Sequence, residues 1–356
     1  MEQFNRITLG RQAKELGFVR DTFEKVCRLA DVLSFLEQND ALSSSLALKG
    51  GTAINLTIFN LPRLSVDIDL DFAKALPRDA MLEQRAVISD RVEKYMAAGG
   101  YTLSRKSKHY HALDSLVYEY QNAGGMKDNL KIEINYMLRC HVLEVRRRAV
   151  KLPWLDGELT VLIVDPMEIF ASKIVALMNR AAPRDLYDLS NMLKYGLFDD
   201  ADQDMLRKCV VFYSAIGSEE TPTEFSFDSI LAIRQNKIKT DLLPVLRNSV
   251  YFDVKAAQDQ CVRYLRELLA LTEQERAFLQ AFREKAYKPE LLFANDSILE
   301  RISGHPMALW KCGDQSIKAE RPTEDADKPS IQEWIRPERT SFSTPDKAKR
   351  KKDLER

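Results

Sequence analysis

An Asp-x-Asp pattern inside an apolar run constrains this chain more than any other feature. Residues 66–72 read Val-Asp-Ile-Asp-Leu-Asp-Phe, a typical buried strand with a carboxylate at every second position. Side chains at positions i and i+2 of a strand share one face, so Asp67 and Asp69 would lie side by side. Two buried carboxylates repel each other unless a cation joins them. The pattern therefore predicts a metal site, with Mg²⁺ as the simplest occupant because it binds carboxylates together with substrate phosphates.

A diglycine turn precedes this strand and supplies a second part of the predicted site. Gly50 and Gly51 follow a short apolar run, residues 46–49, and come directly before Thr52. Glycine lets the backbone turn tightly and approach a phosphate closely. A helix that starts near Thr52 would also direct free N–H groups at that phosphate. We therefore expect a phosphate-binding turn beside the carboxylates.

The bulk composition is that of an ordinary globular protein. The chain has 356 residues, 53 basic and 53 acidic, so any nucleic-acid contact must use local basic patches. Its five cysteines are scattered and never in Cys-x-x-Cys spacing, which argues against a disulfide framework or a zinc site. No apolar run reaches membrane-spanning length and no signal core begins the chain. We therefore expect a cytoplasmic protein without a membrane partner.

Hydrophobic periodicity and turn residues predict an α+β fold with a helical second half. Asp165, Pro166 and Glu168 indicate the start of a helix, as N-cap, first-turn proline and capping-box residue. We expect a core with an N-terminal helix over residues 1–197, a helical C-terminal domain over 198–312 and a charged, disordered tail over 313–356. The predicted helices are 11–37, 52–59, 81–98, 166–180, 184–195, 256–271 and 273–285, and the predicted strands are 46–49, 66–72, 115–120, 131–136 and 161–164.

Glu133 is a candidate third carboxylate. It lies on a strictly alternating segment that places Ile132 and Ile134 on one face and Lys131, Glu133 and Asn135 on the other. A salt bridge on an exposed sheet face explains the residue equally well. Beside the aspartate pair it gains weight, because two-metal phosphoryl-transfer sites commonly use a further carboxylate.

The next two helices carry further candidates. Lys173 flanks the apolar stripe of the helix over residues 166–180, where it could simply snorkel or could meet a polyphosphate as a point charge. Asp185 and Asp188 share a face of the following helix beside Arg184, and a surface pair or a helix-dipole contact would also explain them. Basic clusters at residues 105–108, 146–151 and 347–352 could meet a phosphate backbone or could be solvated faces.

Several enzyme classes find no support in the sequence. The four histidines lack metalloenzyme spacing, and the His109-Tyr-His111 pair is a weak candidate for a metal site. No serine lies in a nucleophile-elbow pattern, and neither a P-loop nor a dinucleotide fingerprint occurs. The chemistry predicted by the residues is therefore metal-assisted handling of phosphate.

Four motifs together resemble one known family. They are Lys49-Gly50-Gly51-Thr52, Arg63-x-Ser65-x-Asp67-x-Asp69, Lys131-Ile-Glu133-Ile, and Lys173 followed by Arg184-Asp185-Leu-Tyr-Asp188. In order and spacing, over about residues 20–194, they resemble the AbiEii/AbiGii toxin family of nucleotidyltransferases. The resemblance implies a DNA polymerase β-like core, with a small mixed sheet and flanking helices, and a cognate antitoxin encoded nearby.

The resemblance also implies roles for individual residues. Gly50, Gly51, Thr52, Arg63 and Ser65 would border the nucleotide phosphates. Asp67, Asp69 and Glu133 would be metal ligands, and Lys173 would contact the triphosphate. Arg184 and Asp188 would contact the nucleotide. Asp185, or Asp188 in its place, would complete the catalytic set. Glutamate at position 133 departs from the aspartate common in polymerase β-like enzymes, and its longer side chain gives a less rigid ligand.

The expected activity is transfer of a nucleotide from an NTP, with GTP or CTP favoured, to an acceptor hydroxyl with the help of Mg²⁺. By resemblance the acceptor would be the 3′ end of tRNA, and the outcome would be blocked translation in phage defence. Two alternatives stay open. The acceptor could be a protein or a small molecule, or the chain could be an inactive nucleotide-binding regulator.

Overall fold

The computed structural model describes residues 4–155 and 157–313. Apart from Gly313, the predicted charged tail lies outside the described residues. Among the helices that are described, none combines the length and the apolar character needed to cross a membrane. The described elements form a mixed sheet flanked by helices and followed by further helices, which confirms the predicted α+β class.

The sheet has parallel and antiparallel neighbours, and β2 lies near its middle. The strand order is β3-β5-β6-β2-β1-β8-β7, with β4 paired to β5. The strands are β1 (Leu46–Lys49), β2 (Asp67–Phe72), β3 (Thr102–Leu103), β4 (Lys108–Tyr110), β5 (Leu113–Gln121), β6 (Lys127–Asn135), β7 (Arg146–Ala149) and β8 (Thr160–Ile163).

Helices cover the sheet and build the rest of the described chain. They are α1 (Arg6–Leu16), α2 (Arg20–Glu37), α3 (Asp40–Ser43), α4 (Gly50–Ala53), α5 (Arg78–Ala98), α6 (Pro166–Arg180), α7 (Pro183–Lys194), α8 (Gln203–Gly217), α9 (Asp228–Leu231), α10 (Gln235–Lys237), α11 (Val254–Leu268), α12 (Glu273–Arg283), α13 (Asp296–Ile302) and α14 (Pro306–Cys312). Shorter π-helical or 3₁₀ turns occur at Ile54–Ile58, Ile238–Leu242, Leu243–Val245 and Pro289–Leu291.

The register of the sheet decides which polar side chains meet. β2 pairs antiparallel with β1, where Asp69 is opposite Lys49, and parallel with β6, where Asp69 is opposite Glu133. Residues in register on adjacent strands project from the same face, with strands about 4.8 Å apart. Lys49, Asp69 and Glu133 thus form a row across three strands. Ile68 and Leu70 alternate with the carboxylates and are buried on the other face.

Two predicted helices differ from the observed ones for local reasons. The helix predicted over residues 11–37 is wrong as a single element, because it divides into α1 and α2 at Gly17, which has a left-handed φ of 77°. The helix predicted over 52–59 begins earlier, at Gly50, and widens into a π-helical turn over Ile54–Ile58. Such turns recur near functional sites and leave no mark on hydrophobic spacing.

The start of α6 matches the prediction in two of three parts. Asp165 caps the helix by accepting from the backbone N–H of Met167 at 2.9 Å, and Pro166 occupies the first turn. The capping-box role of Glu168 is wrong. Its carboxylate accepts from the backbone N–H groups of Val142 and Leu143, each at 2.8 Å, and from the hydroxyl of Tyr213. Glu168 therefore ties α6 to α8 and to the segment after β6.

The apolar core is continuous across the boundary predicted after residue 197. Phe170 of α6 contacts Phe59 on one side and Phe198 on the other, with ring centroids 6.1 and 5.9 Å apart. The buried apolar residues form one cluster from α1 to α14. The division into a 1–197 core and a 198–312 domain stays a prediction.

Replacement of Glu168 by alanine tests its observed role. Two buried donors, the Val142 N–H and the Tyr213 hydroxyl, and the part-buried Leu143 N–H would lose their acceptor, at about 1–3 kcal/mol for each buried unsatisfied group. We expect the free energy of unfolding, measured by urea titration, to fall by roughly 3 kcal/mol or more. Asp165→Ala is the matched control and removes an N-cap, worth about 1 kcal/mol, together with an ion pair to the largely exposed Arg146. Equal losses in the two variants would contradict the three-element role of Glu168.

Candidate active site

The acidic residues of β2 lie on a buried face at the middle of the sheet. Asp67 is 4% exposed, Asp71 is equally inaccessible, and Asp69 lies between them opposite Glu133. Asp71 is within the strand rather than at its end, and Lys49 forms an ion pair with it at 2.5 Å. Glu133 is paired with Lys131 two residues before it, at 3.0 Å. The predicted side-by-side arrangement of Asp67, Asp69 and Glu133 is therefore present.

Burial and mutual repulsion raise the pKa values of the aspartates on this face. Burial, reinforced by the neighbouring Asp69, raises the pKa of Asp67 to about 6. Burial and the adjacent Glu133 also raise the pKa of Asp69. Among the described residues, the Oδ2 atom of Asp67 has no hydrogen-bond partner. Negative charge is thus held here without full compensation, which favours a cation.

The diglycine turn presses directly on this face. Gly50 has a φ of 68°, and a Cβ at this position would collide with the Asp69 carboxylate. A Cβ on Gly51 would lie 2.7 Å from Nη2 of Arg63 and 2.9 Å from the Ser65 hydroxyl. Both positions therefore exclude a side chain, Gly50 also because of its backbone conformation. The turn therefore lies directly against the Asp69 carboxylate, and its contact with a phosphate stays a prediction.

Thr52, Asn55 and Ser65 form the floor beneath the turn. The buried Thr52 hydroxyl donates to the backbone carbonyl of Asp67. Asn55 donates to the Gly51 carbonyl at 2.7 Å and accepts from the backbone N–H of Arg63 at 3.2 Å. Ser65 is buried next to Gly51. These bonds fix the turn against the start of β2.

Arg63 and Asp188 form a buried bidentate ion pair. Both nitrogens of the fork, Nε and Nη2, lie 2.7 Å from the two carboxylate oxygens, and Nη1 donates to the Leu64 carbonyl at 2.9 Å. Arg63 is 1% exposed and Asp188 is fully buried. The pair joins the segment before β2 to α7. In this position it supports the site from below.

Lys173 reaches from α6 to the acidic side chains of α7. Its Nζ lies 2.8 Å from Oδ1 of Asp185 and 3.4 Å from Oδ2 of Asp188. Arg180, at the end of the same helix, donates to Oδ2 of Asp185. Burial by itself would raise the pKa of Asp185, but the Arg180 and Lys173 cations hold that pKa well below its usual range.

Arg184 and Lys131 bring positive charge to Asp67 from two sides. Arg184 is buried on α7, and burial together with the nearby Arg63 lowers its pKa. Lys131 is in register with Asp67. Burial opposes its charge, but Glu133 and Asp67 raise the pKa of Lys131. Every candidate residue from the four motifs therefore lies on or directly beneath one corner of the sheet.

A cleft of about 180 Å³ opens over this corner. Its charged wall contains Lys49, Asp69, Asp71, Glu133, Lys173 and Arg180, with Gly50 at the turn. Its other wall is mostly apolar and includes Tyr213 and Ile216 of α8 and Met307 of α14. The helical second half of the chain thus contributes directly to the candidate site.

The donor set fits a hard divalent cation that binds together with a substrate. Within residues 4–155 and 157–313, no group of three His, Cys, Asp or Glu side chains converges closely enough to hold a metal ion alone. Mg²⁺ typically uses one or two carboxylates and fills its other positions with water and substrate phosphates. Asp67 and Asp69, which repel each other and include the unpartnered Oδ2 of Asp67, match that requirement of two carboxylates, and Glu133 lies opposite Asp69 on the next strand.

Some site residues have no motif that sequence reasoning could interpret. Lys49 belongs to the first motif, but its ion pair is with Asp71, the diagonal neighbour of its register partner Asp69, which the motif does not indicate. Arg180 follows Lys173 by seven residues, two helical turns, which could have placed both on one face. Tyr213, Ile216 and Met307 reach the cleft only by tertiary packing.

Two other predicted features lie away from this corner. His109 is bonded through Nδ1 to the buried Asp114 at 2.7 Å, and the described residues contain no metal cluster around it. The basic cluster at residues 146–148 is β7, an edge strand of the sheet. Positive charges on an edge strand discourage pairing with other chains.

Comparisons with known proteins agree with this fold. The family described as nucleotidyl transferase AbiEii toxin, type IV toxin–antitoxin system, matches residues 34–287, which contain the whole candidate corner. Among curated proteins, none is similar enough to count as a match. The solved structure of MenT4, a nucleotidyltransferase toxin from Mycobacterium tuberculosis H37Rv, is similar with a TM-score of 0.59 and 19% identity. The similarity covers 85% of this chain and 99% of MenT4, and at this identity it concerns the fold.

Asp67→Asn should stabilise the metal-free protein at alkaline pH. The pKa of Asp67 rises from 3.8 to about 6 on folding, so its contribution favours the fold below pH 4 and is lost as pH rises through 6. Removing the charge should therefore gain up to about 3 kcal/mol at pH 8 and little at pH 4. Urea unfolding in EDTA at both pH values measures this gain.

Asp128→Asn is the matched control, because Asp128 lies on β6 and pairs with Lys25 at 2.7 Å outside the cleft. This variant should show no gain at pH 8. A loss of stability in Asp67→Asn at pH 8 would contradict the electrostatic account of this face.

Proposed function

Because the chain belongs to the AbiEii family of nucleotidyltransferase toxins of type IV toxin–antitoxin systems, we propose that it transfers a nucleotide from an NTP to an acceptor hydroxyl with Mg²⁺. Membership makes it a nucleotidyltransferase and implies an NTP substrate and an antitoxin partner. The metal, the acceptor and the role of each residue are the proposal. The observation that carries it is the row of Asp69 and Glu133 in register, beside Asp67 and under the Gly50-Gly51 turn.

Asp67, Asp69 and Glu133 would hold Mg²⁺ in the proposed site. When bound, the metal would neutralise charge on the phosphates and lower the barrier to attack. The unpartnered, buried Asp67 and its raised pKa support this assignment.

The chain's own cations and N–H groups would orient the triphosphate. Lys173 lines the cleft together with Gly50, the residue at which the helical turn over Gly50–Ala53 begins. The acceptor oxygen forms a bond to the α-phosphorus in line with the bond to the β-phosphate, which breaks. The hydroxyl proton passes to a carboxylate of the row, and pyrophosphate leaves.

The remaining motif residues would act by shaping this corner. Arg63 bonds to Asp188 and to the Leu64 carbonyl, and Thr52 bonds to the Asp67 carbonyl of β2, so these side chains are engaged within the protein. Ser65 supports the diglycine turn, and Arg184 balances the charge of Asp67. We assign these residues to positioning of the nucleotide-binding turn, which modifies the direct phosphate contacts expected from the sequence.

The acceptor we favour is the 3′ end of tRNA, with GTP or CTP as donor and blocked translation in phage defence as the outcome. Family membership supports a toxic nucleotidyltransferase in the cytoplasm that a cognate antitoxin restrains. Residues of α8 and α14 form the apolar wall of the cleft. The second half of the chain would therefore contact the acceptor and contribute to its selection.

Incubation of purified chain with each α-³²P-NTP and total cell lysate, which supplies both RNA and protein acceptors, tests the activity. Labelled RNA is expected with one NTP, and chelation by EDTA should abolish it. Asp67→Ala should reduce the rate by on the order of a thousandfold, as typically follows loss of one electrostatic contribution to a transition state. Asp128→Ala, on the same sheet outside the cleft, should keep the wild-type rate.

The labelled product separates the acceptors. Label removed by RNase supports RNA, whereas label removed only by protease would replace it with a protein acceptor. NTP binding without pyrophosphate release under any acceptor would contradict transferase activity. Unchanged labelling or unchanged toxicity of Asp67→Ala would contradict the proposed metal site.

A further inference from the structure

A second groove, of about 700 Å³, lies next to the Arg63–Asp188 pair and shares no lining residue with the cleft. Its walls come from the segment over residues 58–62, from α7 and the turn after it, and from the segment over residues 247–250. No residue that we assign to metal or triphosphate binding lines it. The groove is therefore a separate surface, which the proposed chemistry does not use.

The charged residues of this groove are positive. Lys194 and Arg247 line it, and its described lining residues include no carboxylate. Lys194 is exposed, with its Nζ 5.5 Å from the ring centroid of Tyr195. Arg247 donates to the Leu61 carbonyl at 3.3 Å and is partly exposed. Within the part of the chain that the structure describes, neither cation forms an ion pair, so both charges favour an anionic ligand.

Two exposed tyrosines flank these cations. Tyr195 lines the groove and is 56% exposed. Tyr251 is 88% exposed and directly follows the lining residue Val250. The next residue, Phe252, packs edge-on against Tyr187 of α7, with ring centroids 5.2 Å apart, and this contact holds the segment at the groove. Single exposed aromatic residues are common, but two tyrosines beside two cations form a stacking surface.

The predicted basic cluster at residues 146–151 ends at the same groove. The backbone N–H of Lys151 donates to the Leu56 carbonyl at 2.6 Å, and its Nζ donates to the carbonyl of Ile58 at 3.2 Å. Ile58 lines the groove. A third cation therefore lies beside the same surface, opposite the side formed by residues 247–250.

We propose that this groove binds single-stranded RNA, with bases stacked on Tyr195 and Tyr251 and phosphates at Lys194 and Arg247. The inference rests on the proposed function, because this RNA would be the acceptor. Grooves that combine cations with exposed aromatic rings bind single strands with little sequence preference, since every base has a face that can stack. A duplex keeps its bases stacked on each other and would gain only the charge contacts.

The position of the groove suits an acceptor site. Its lining residue Pro62 directly precedes Arg63, whose Nη2 lies against Gly51 of the diglycine turn. Along α7, Tyr195 follows Asp188 by seven residues, about 10 Å of helix. RNA in the groove would thus lie beside the elements that hold the diglycine turn.

An acidic protein segment is the other class of ligand that these charges would attract. Aromatic residues are also enriched at protein interfaces. A peptide of the same charge lacks bases, however, so it cannot gain the free energy of stacking on two tyrosine rings. The two uncommitted cations together with two nearly free rings favour RNA.

Fluorescence anisotropy with a labelled single-stranded RNA of about 12 nucleotides, within the span of such sites, tests the proposal without NTP. The variants are Tyr251→Ala, Tyr195→Ala, Tyr195→Phe and Lys194→Ala, each measured over a range of salt concentrations. Lys106→Ala is the matched control for charge, because Lys106 is an exposed lysine in the turn between β3 and β4, at the other edge of the sheet. Thermal unfolding checks that each variant is folded.

We expect Tyr251→Ala and Tyr195→Ala each to weaken RNA binding roughly 5–100-fold, the range for loss of one base–aromatic stack. Their salt dependence should stay that of the wild type, because no charge is lost. Lys194→Ala should weaken binding and lower the slope of log affinity against log salt by about 0.7, the value for one phosphate of a single strand. Tyr195→Phe keeps the ring and should bind as the wild type does, as should Lys106→Ala.

Three results would overturn the proposal. The first is unchanged RNA affinity in both tyrosine-to-alanine variants. The second is an equal loss in Lys106→Ala and Lys194→Ala, since binding would then follow overall charge rather than this groove. The third is a polyglutamate peptide of the same charge that binds as tightly as the RNA and through the same two tyrosines, because the groove would then be a site for an acidic protein segment.

Nucleotide transfer by the same proteins keeps this inference distinct from the proposed function. The expected result for Tyr251→Ala is a raised KM for RNA with an unchanged KM for NTP. Active wild-type enzyme with an unchanged KM for RNA in Tyr251→Ala would refute the inference and leave the function intact. Wild-type chain that binds RNA through both tyrosines but transfers no nucleotide would refute the function and leave the RNA-binding groove intact.

Discussion

Repulsion among buried carboxylates is the constraint on which the rest of the site depends. Asp67, Asp69 and Glu133 meet on one face because β2 is paired in register with β6. Ile68 and Leu70 bury the opposite face, while on the acidic face Asp67 is buried and Asp69 and Glu133 line the cleft, so water screens these charges only in part. The packing of the whole core offsets this local cost. A cation that joins the carboxylates would relieve it, so the same face that weakens the fold favours metal binding.

The cations of the site are arranged around this negative face in fixed pairs. Lys49 pairs with Asp71, Lys131 with Glu133, Arg63 with Asp188, and Lys173 with Asp185. Buried ion pairs contribute little net stability, because desolvation offsets much of their attraction. Their effect here is orientation. Each pair holds one long side chain in a single position beside the diglycine turn, which a phosphate-handling site requires.

Much of the fold could be predicted because its signals are local. The alternating segments at residues 66–72 and 131–136, and the capped start of α6, correspond to elements in the structure. The predictions were wrong where a residue that fits a local pattern had a different structural role. Gly17 ended α1 within an apparently continuous helical pattern, and Glu168 had the spacing of a capping box but bonds to Val142, Leu143 and Tyr213. Spacing along the chain carries no information about partners that lie far away in sequence.

The sequence by itself determined the residue types at the site and the elements that carry them. Carboxylates at every second position of an apolar run and two glycines before it are sufficient to predict a metal- and phosphate-binding corner. Only the tertiary structure decided which charges meet. The pairing of Arg63 with Asp188 joins residues 125 positions apart, and the convergence of Lys173 and Arg180 on Asp185 depends on how α6 packs against α7. The physical reason is that a charged side chain selects its partner by distance and burial, and both are set by packing of the completed core.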